Sequence, residues 1–101
     1  MGALIYGPGH ESLEIDDRTL LHLQITIANK LRLGESFNFS WSHDPQLGSG
    51  RSVMWIDPSV PIYFRFTSGK PANVNRRWLD ELAASANRPD GFVMVPEPEP
   101  S

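Results

Sequence analysis

Ser36-Phe37-Asn38-Phe39-Ser40-Trp41-Ser42 alternates without a break. Phe37, Phe39 and Trp41 fall on one side, and Ser36, Asn38, Ser40 and Ser42 on the other. Successive side chains of an extended chain point to opposite faces, so this stretch is a strand with one buried and one wet face. The wet row of Ser and Asn predicts a sheet covered on one side and partly open on the other.

Towards the C-terminus, His43-Asp44-Pro45-Gln46-Leu47-Gly48-Ser49-Gly50 is a loop rich in turn formers. Ser52 to Asp57 is a second strand, with Val53 and Trp55 alternating against Met54 and Ile56. Asp57-Pro58-Ser59 is a tight turn. Pro61 to Thr67 is a third strand, with Ile62, Phe64 and Phe66 on one face and Tyr63, Arg65 and Thr67 on the other. Pro61 suits its first position, where no ladder N–H is needed. Short connections predict that these three strands form an antiparallel meander.

Towards the N-terminus, Asp16 and Asp17 are N-cap residues for a helix that runs to about Leu33, where Gly34 supplies a stop. Leu20, Leu21, Leu23, Ile25, Ile27, Ala28 and Leu31 form a broad apolar arc. His22, Thr26, Asn29 and Lys30 are expected opposite it. Gln24 falls near the centre of the arc and must find a hydrogen-bond partner, with sheet backbone the expected one. Ala3 to Tyr6 and Leu13 to Ile15, joined through Gly7-Pro8-Gly9, read as a hairpin. Beyond the meander, Asn75 caps a second helix, with Val74 and Leu79 as a hydrophobic staple. Trp78, Leu79, Leu82, Ala83 and Ala86 share its apolar face, and Pro89 ends it. Phe92 to Val95 is a last short strand. The order is ββ-α-βββ-α-β. It predicts an α+β, two-layer domain over residues 1–95, with two helices on one face of a mainly antiparallel sheet. Pro96-Glu97-Pro98-Glu99-Pro100-Ser101 reads as an acidic, mobile tail.

The chain has 101 residues, 40% hydrophobic and 21% charged, which fits one globular domain with one modest core. It has no cysteine, which excludes disulfide scaffolds, Cys-based metal sites and thiol catalysis. No apolar run is long enough to span a bilayer, and Met1 to His10 lacks the pattern of a secretory signal, so the expected location is cytoplasmic. His10, His22 and His43 do not have metal-ligand spacing, so neither a metal nor a cofactor is expected. His43-Asp44 has the chemistry of a general base with its orienting carboxylate, but the preferred reading is loop surface, with Asp44-Pro45 opening a turn. Gly48-Ser49-Gly50-Arg51 has phosphate-loop composition but precedes a strand rather than a helix.

The net charge of −3 is unevenly spread. Residues 45–79 carry Arg51, Arg65, Lys70, Arg76 and Arg77 against Asp57 alone, between acidic ends. The block reads either as the complement of those ends or as an anion-facing surface. Arg76 and Arg77 stand in the first turn of a helix, where the macrodipole costs a cation about 0.3–1 kcal/mol. Pairs with Asp80 and Glu81 would offset about 0.2–0.5 kcal/mol each. Tyr63 and Arg65 share the face opposite Ile62 and Phe64, where they are placed to stack on a base or a partner.

The stretches Asp16 to Gln24, Lys30 to Phe37, Phe39-Ser-Trp41, Gly48 to Ser52, Asn75 to Leu79 and Ala86 to Gly91 resemble a family of small, uncharacterised actinobacterial proteins. The resemblance covers nearly the whole chain and ends near Pro98. It implies a domain of unknown function with no assigned catalytic residues, and a frequent automatic label of ATP-dependent DNA ligase. That label fails on the residues. Such a ligase needs a nucleophilic lysine in Lys-x-Asp-Gly, whereas Lys30 precedes Leu-Arg-Leu and Lys70 precedes Pro-Ala-Asn.

The sequence therefore predicts a non-catalytic binding or interaction module, self-associating as a homo-oligomer (a dimer) or bound to a protein partner. An alternative is a nucleic-acid accessory protein that holds phosphate through the stretch 51–77. Arg51, Tyr63, Arg65, Lys70, Arg76 and Arg77 are the candidate contact residues. A small enzyme built on His22 or His43 with Asp44 is the third reading.

Overall fold

A computed structural model describes residues 2–9, 11–42, 51–70 and 73–99. Strands β1 (Gly2–Tyr6) and β2 (Glu11–Ile15) are followed by helix α1 (Asp17–Arg32). Strands β3 (Phe37–Ser42), β4 (Arg51–Ile56) and β5 (Ile62–Arg65) come next, then helix α2 (Arg76–Ala86) and strand β6 (Phe92–Val93). The fold is α+β, and its sheet pairing is mostly antiparallel.

The strands form two three-stranded sheets, β2-β1-β5 and β4-β3-β6. The expected meander breaks after β4. β5 pairs antiparallel with β1, Leu4 opposite Phe64, instead of with β4. The reason lies in the turn between them. The Tyr6 hydroxyl donates to the Trp55 carbonyl at 2.6 Å and accepts from the Asp57 N–H at 3.0 Å. Gly7 N–H donates to the Pro61 carbonyl. The end of β1 is thus fastened to both sides of the turn, which delivers β5 alongside β1. Asp57 holds the turn itself. Its carboxylate accepts from the Ser59 hydroxyl, the Ser36 hydroxyl and the Ser59 N–H, and in that order these bonds lower its pKa to about 2.

β3 and β4 pair antiparallel, with Phe37 opposite Ile56 and Phe39 opposite Met54. β6 joins β3 in parallel, Phe92 beside Phe39. One apolar cluster takes Leu4 and Ile15 from the first sheet, Phe37, Phe39, Ile56 and Phe92 from the second, and Leu20, Leu23, Ile27, Trp78, Leu82 and Ala86 from the helices. The helices therefore lie over the inner faces of the strands, and burial of these side chains is the main stabilising term.

Asp16 caps α1 through the Thr19 N–H, and Asn75 caps α2 through the Trp78 N–H. The buried arc of α1 differs from the one its apolar residues suggest. His22 and Thr26 are buried, because α2 covers that side of the helix and Trp78 stacks on the His22 ring at 4.4 Å. Gln24 is only half-buried and lies on the wall of a surface groove.

The stretch expected to be a mobile tail takes part in the fold as far as Pro98. Glu97 accepts from the Arg18 guanidinium at 2.6 and 2.9 Å and from Asn75 Nδ2, which also donates to the Pro98 carbonyl. Trp78 Nε1 donates to the Val95 carbonyl. An acidic residue bonded to an arginine and a capping amide is held in place although it stays partly exposed. Among the described residues no helix is long and apolar enough to cross a membrane.

Candidate interaction surface

The inward alternation of Phe37, Phe39 and Trp41 forces Asn38 and Ser40 outward, and the register then fixes their neighbours. Trp55 stands opposite Asn38 and Val53 opposite Ser40 on β4, while Val93 stands beside Ser40 on β6. Trp55 is 57% exposed, Val53 50% and Val93 36%. Arg51 shares this face at the start of β4 and is exposed. An indole this open is unusual, because tryptophan carries a large apolar surface. The alternation of β4 was plain in the sequence, but which side faced the core depended on its register with β3.

Tyr63 and Arg65 lie on the outer face of the other sheet, as their alternation implied. The Arg65 guanidinium sits over the Tyr63 ring, 5.8 Å from its centroid. Lys70 lies elsewhere, on a groove of about 560 Å³ whose wall includes Asp17, Arg18, Leu21, Gln24 and Phe66. Asp17 is already occupied there. It accepts from the Thr67 N–H, the Ser68 N–H and the Thr67 hydroxyl, and the Thr67 backbone bond does most to lower its pKa. Arg76 and Arg77 are exposed in the first turn of α2. Arg77 pairs with Glu81 at 3.6 Å, the offset its spacing suggested. The six candidates thus sit on four parts of the fold, and Tyr63 with Arg65 is the pair that makes direct contact.

His22 is spoken for. Its Nε2 accepts from the Asn75 N–H at 2.9 Å, so Nδ1 carries the proton and donates to the Arg18 carbonyl at 2.7 Å. A fully buried ring with both nitrogens bonded to backbone has no free position for proton transfer. His10, His43, Asp44 and the Gly48–Gly50 segment lie outside the described residues. No group of three or more His, Asp or Glu side chains able to hold a metal occurs among the described residues.

The chain matches a family model, that of a domain of unknown function, DUF7882, over residues 1–97. It belongs to that family. The match reaches Glu97, so the residue that ties the C-terminal segment to Arg18 and Asn75 falls inside the family domain. No curated protein and no solved structure matches the chain.

Proposed function

We propose that the chain is a small non-catalytic interaction module that self-associates, with the outer face of β4-β3-β6 as its contact surface. A cytoplasmic setting is part of this reading. The observation that carries it is Trp55, 57% exposed beside Val53 on a strand at the edge of its sheet. Exposed apolar groups gathered on one face mark contact surfaces, and tryptophan is the residue most enriched among those that dominate binding. The commitment of His22 to the core and the absence of Lys-x-Asp-Gly support the non-catalytic part. Light scattering over a concentration series tests it. The expected particle has twice the 11.3 kDa chain mass, and Trp55→Ser should return it to the monomer with the fold intact. A wild-type monomer throughout would end this reading.

A second reading, nucleic-acid association, is favoured by the open Tyr63 ring with Arg65 above it. Stacking on that ring and phosphate contacts from Arg51, Lys70, Arg76 and Arg77 predict affinity that falls steeply with salt. Fluorescence anisotropy with labelled oligonucleotides tests it, and an affinity unchanged by Tyr63→Ala and by charge reversal at Arg76 and Arg77 would dismiss it.

A further inference from the structure

The four strands at sheet edges are not equally protected. β2 carries the exposed Glu14, and charge along an edge discourages pairing. β5 has four residues and opens after Pro61. β6 has two, and the Ser85 hydroxyl satisfies its outward backbone by donating to the Val93 carbonyl and accepting from the Val93 N–H. β4 has six residues, Arg51-Ser-Val-Met-Trp-Ile56, with no proline and no charge after Arg51.

The backbone directions of β4 follow from its neighbours. Met94 N–H donates to the Ser40 carbonyl, so the even-numbered groups of β3 face β6 and the odd-numbered ones face β4. Their partners are Ser52, Met54 and Ile56. Arg51, Val53 and Trp55 therefore turn their backbone groups to the open edge. The Tyr6 hydroxyl already donates to the Trp55 carbonyl from that side, so a partner strand meets the Arg51 and Val53 backbone groups and the Trp55 N–H, and the edge closes at Trp55. The same three residues carry the exposed outer-face side chains.

We infer that β4 pairs antiparallel with β4 of a second copy, centred on Val53. This rests on the self-association proposed above and specifies its geometry. Pairing about Val53 sets Val53 against the partner's Val53 and Arg51 against the partner's Trp55, twice by symmetry. A guanidinium over an indole is the most favourable cation–π pair among side chains. Isologous contact of this kind closes at two copies and joins the two β4-β3-β6 sheets into one of six strands. Centring on Val53 brings all three edge-facing residues into the seam and places a cation against an aromatic at both of its ends. A parallel arrangement would instead set Arg51 against Arg51.

The chain contains no cysteine, so single-cysteine variants report directly. In an antiparallel hydrogen-bonded pair the Cα atoms stand about 5.5 Å apart, within disulfide range. Val53→Cys should form a covalent dimer under mild oxidation, well above Ser12→Cys on the exposed outer face of β2, while Arg51→Cys should not. Trp55→Ser should weaken the dimer about tenfold or more. Val53→Cys and Arg51→Cys cross-linking equally would overturn the antiparallel register. A dimer by mass that Val53→Cys fails to trap would overturn the strand pairing and leave self-association standing. A monomer by mass at every concentration would overturn both.

Discussion

His22 shows how one residue can be read correctly for its chemistry and still be misplaced. A histidine among apolar neighbours on a helix invites a catalytic role, and helical spacing puts it opposite the leucines. In the folded chain it is a bridge between helices. It stacks on Trp78, donates to its own helix at Arg18 and accepts the Asn75 N–H at the start of α2. Its polar atoms are satisfied, and no buried side-chain nitrogen or oxygen among the described residues lacks a partner. His22→Ala should therefore destabilise the chain by about 2 kcal/mol or more, from the cavity beside Trp78 and the orphaned Asn75 N–H. A urea titration measures it. A loss below about 0.5 kcal/mol, the range of an ordinary surface substitution, would contradict the bridging role.

At the scale of the element, the sequence carried much of the fold. Both helices and all six strands were legible, because period-two and helical patterns are local and the caps at Asp16 and Asn75 are chemically specific. The β1-β2 hairpin and the β3-β4 pair were legible too, and what was not legible was the pairing of β5 and β6. β4 and β5 are joined by a short turn, and adjacency argues for a hairpin. The hydroxyl of Tyr6, about fifty residues away in the chain, binds that turn and moves β5 to β1. Long-range bonds of this kind leave no local signature. The exposed face of β4 was hidden for the same reason, since its alternation is symmetric until β3 is placed beside it. The end of the second sheet rests on another tight approach. Gly91 has φ +108°, and a Cβ there would lie 3.1 Å from the Asn38 carbonyl oxygen. Gly91→Ala should cost about 1–2 kcal/mol from backbone strain alone. It should also disturb Phe92 and Val93 before the β1-β2-β5 sheet, which amide exchange resolved by strand would detect. Uniform protection in both sheets would contradict that localisation.

At the scale of the whole molecule, the charge pattern has a partial structural meaning. Glu97 of the acidic end does fold back on a cation, Arg18 of α1, while among the described residues Arg77 of the 51–77 block meets that end only through Glu81, one turn along its own helix. Glu97 lies in a side-chain network with Arg18 and Asn75, and it is where the C-terminal segment, α1 and the cap of α2 meet. The Arg18 bond first, and the Asn75 bond second, hold the Glu97 carboxyl at about 2, below its usual 4.5. A carboxyl whose folded pKa is depressed stabilises the fold above its unfolded pKa, and loses that contribution as pH falls towards the folded value. The contribution of Glu97 is thus fully present at neutral pH and fades between about 4.5 and about 2. Glu97→Gln removes the charge and keeps the shape. Its urea midpoint should lie below that of the wild type at pH 7, and the gap should close across this window, because the wild type then loses what the variant never had. Asp57, held to about 2 by Ser59 and Ser36, titrates in the same direction, so Asp57→Asn serves as a comparison at a site far from the C-terminal segment. Both Arg18 and Glu97 are partly exposed, so added salt should narrow the Glu97→Gln gap at pH 7. A gap that stayed constant from pH 7 to pH 2.5 would show that Glu97 acts through packing alone, and that the charge network does not hold the C-terminal segment in place.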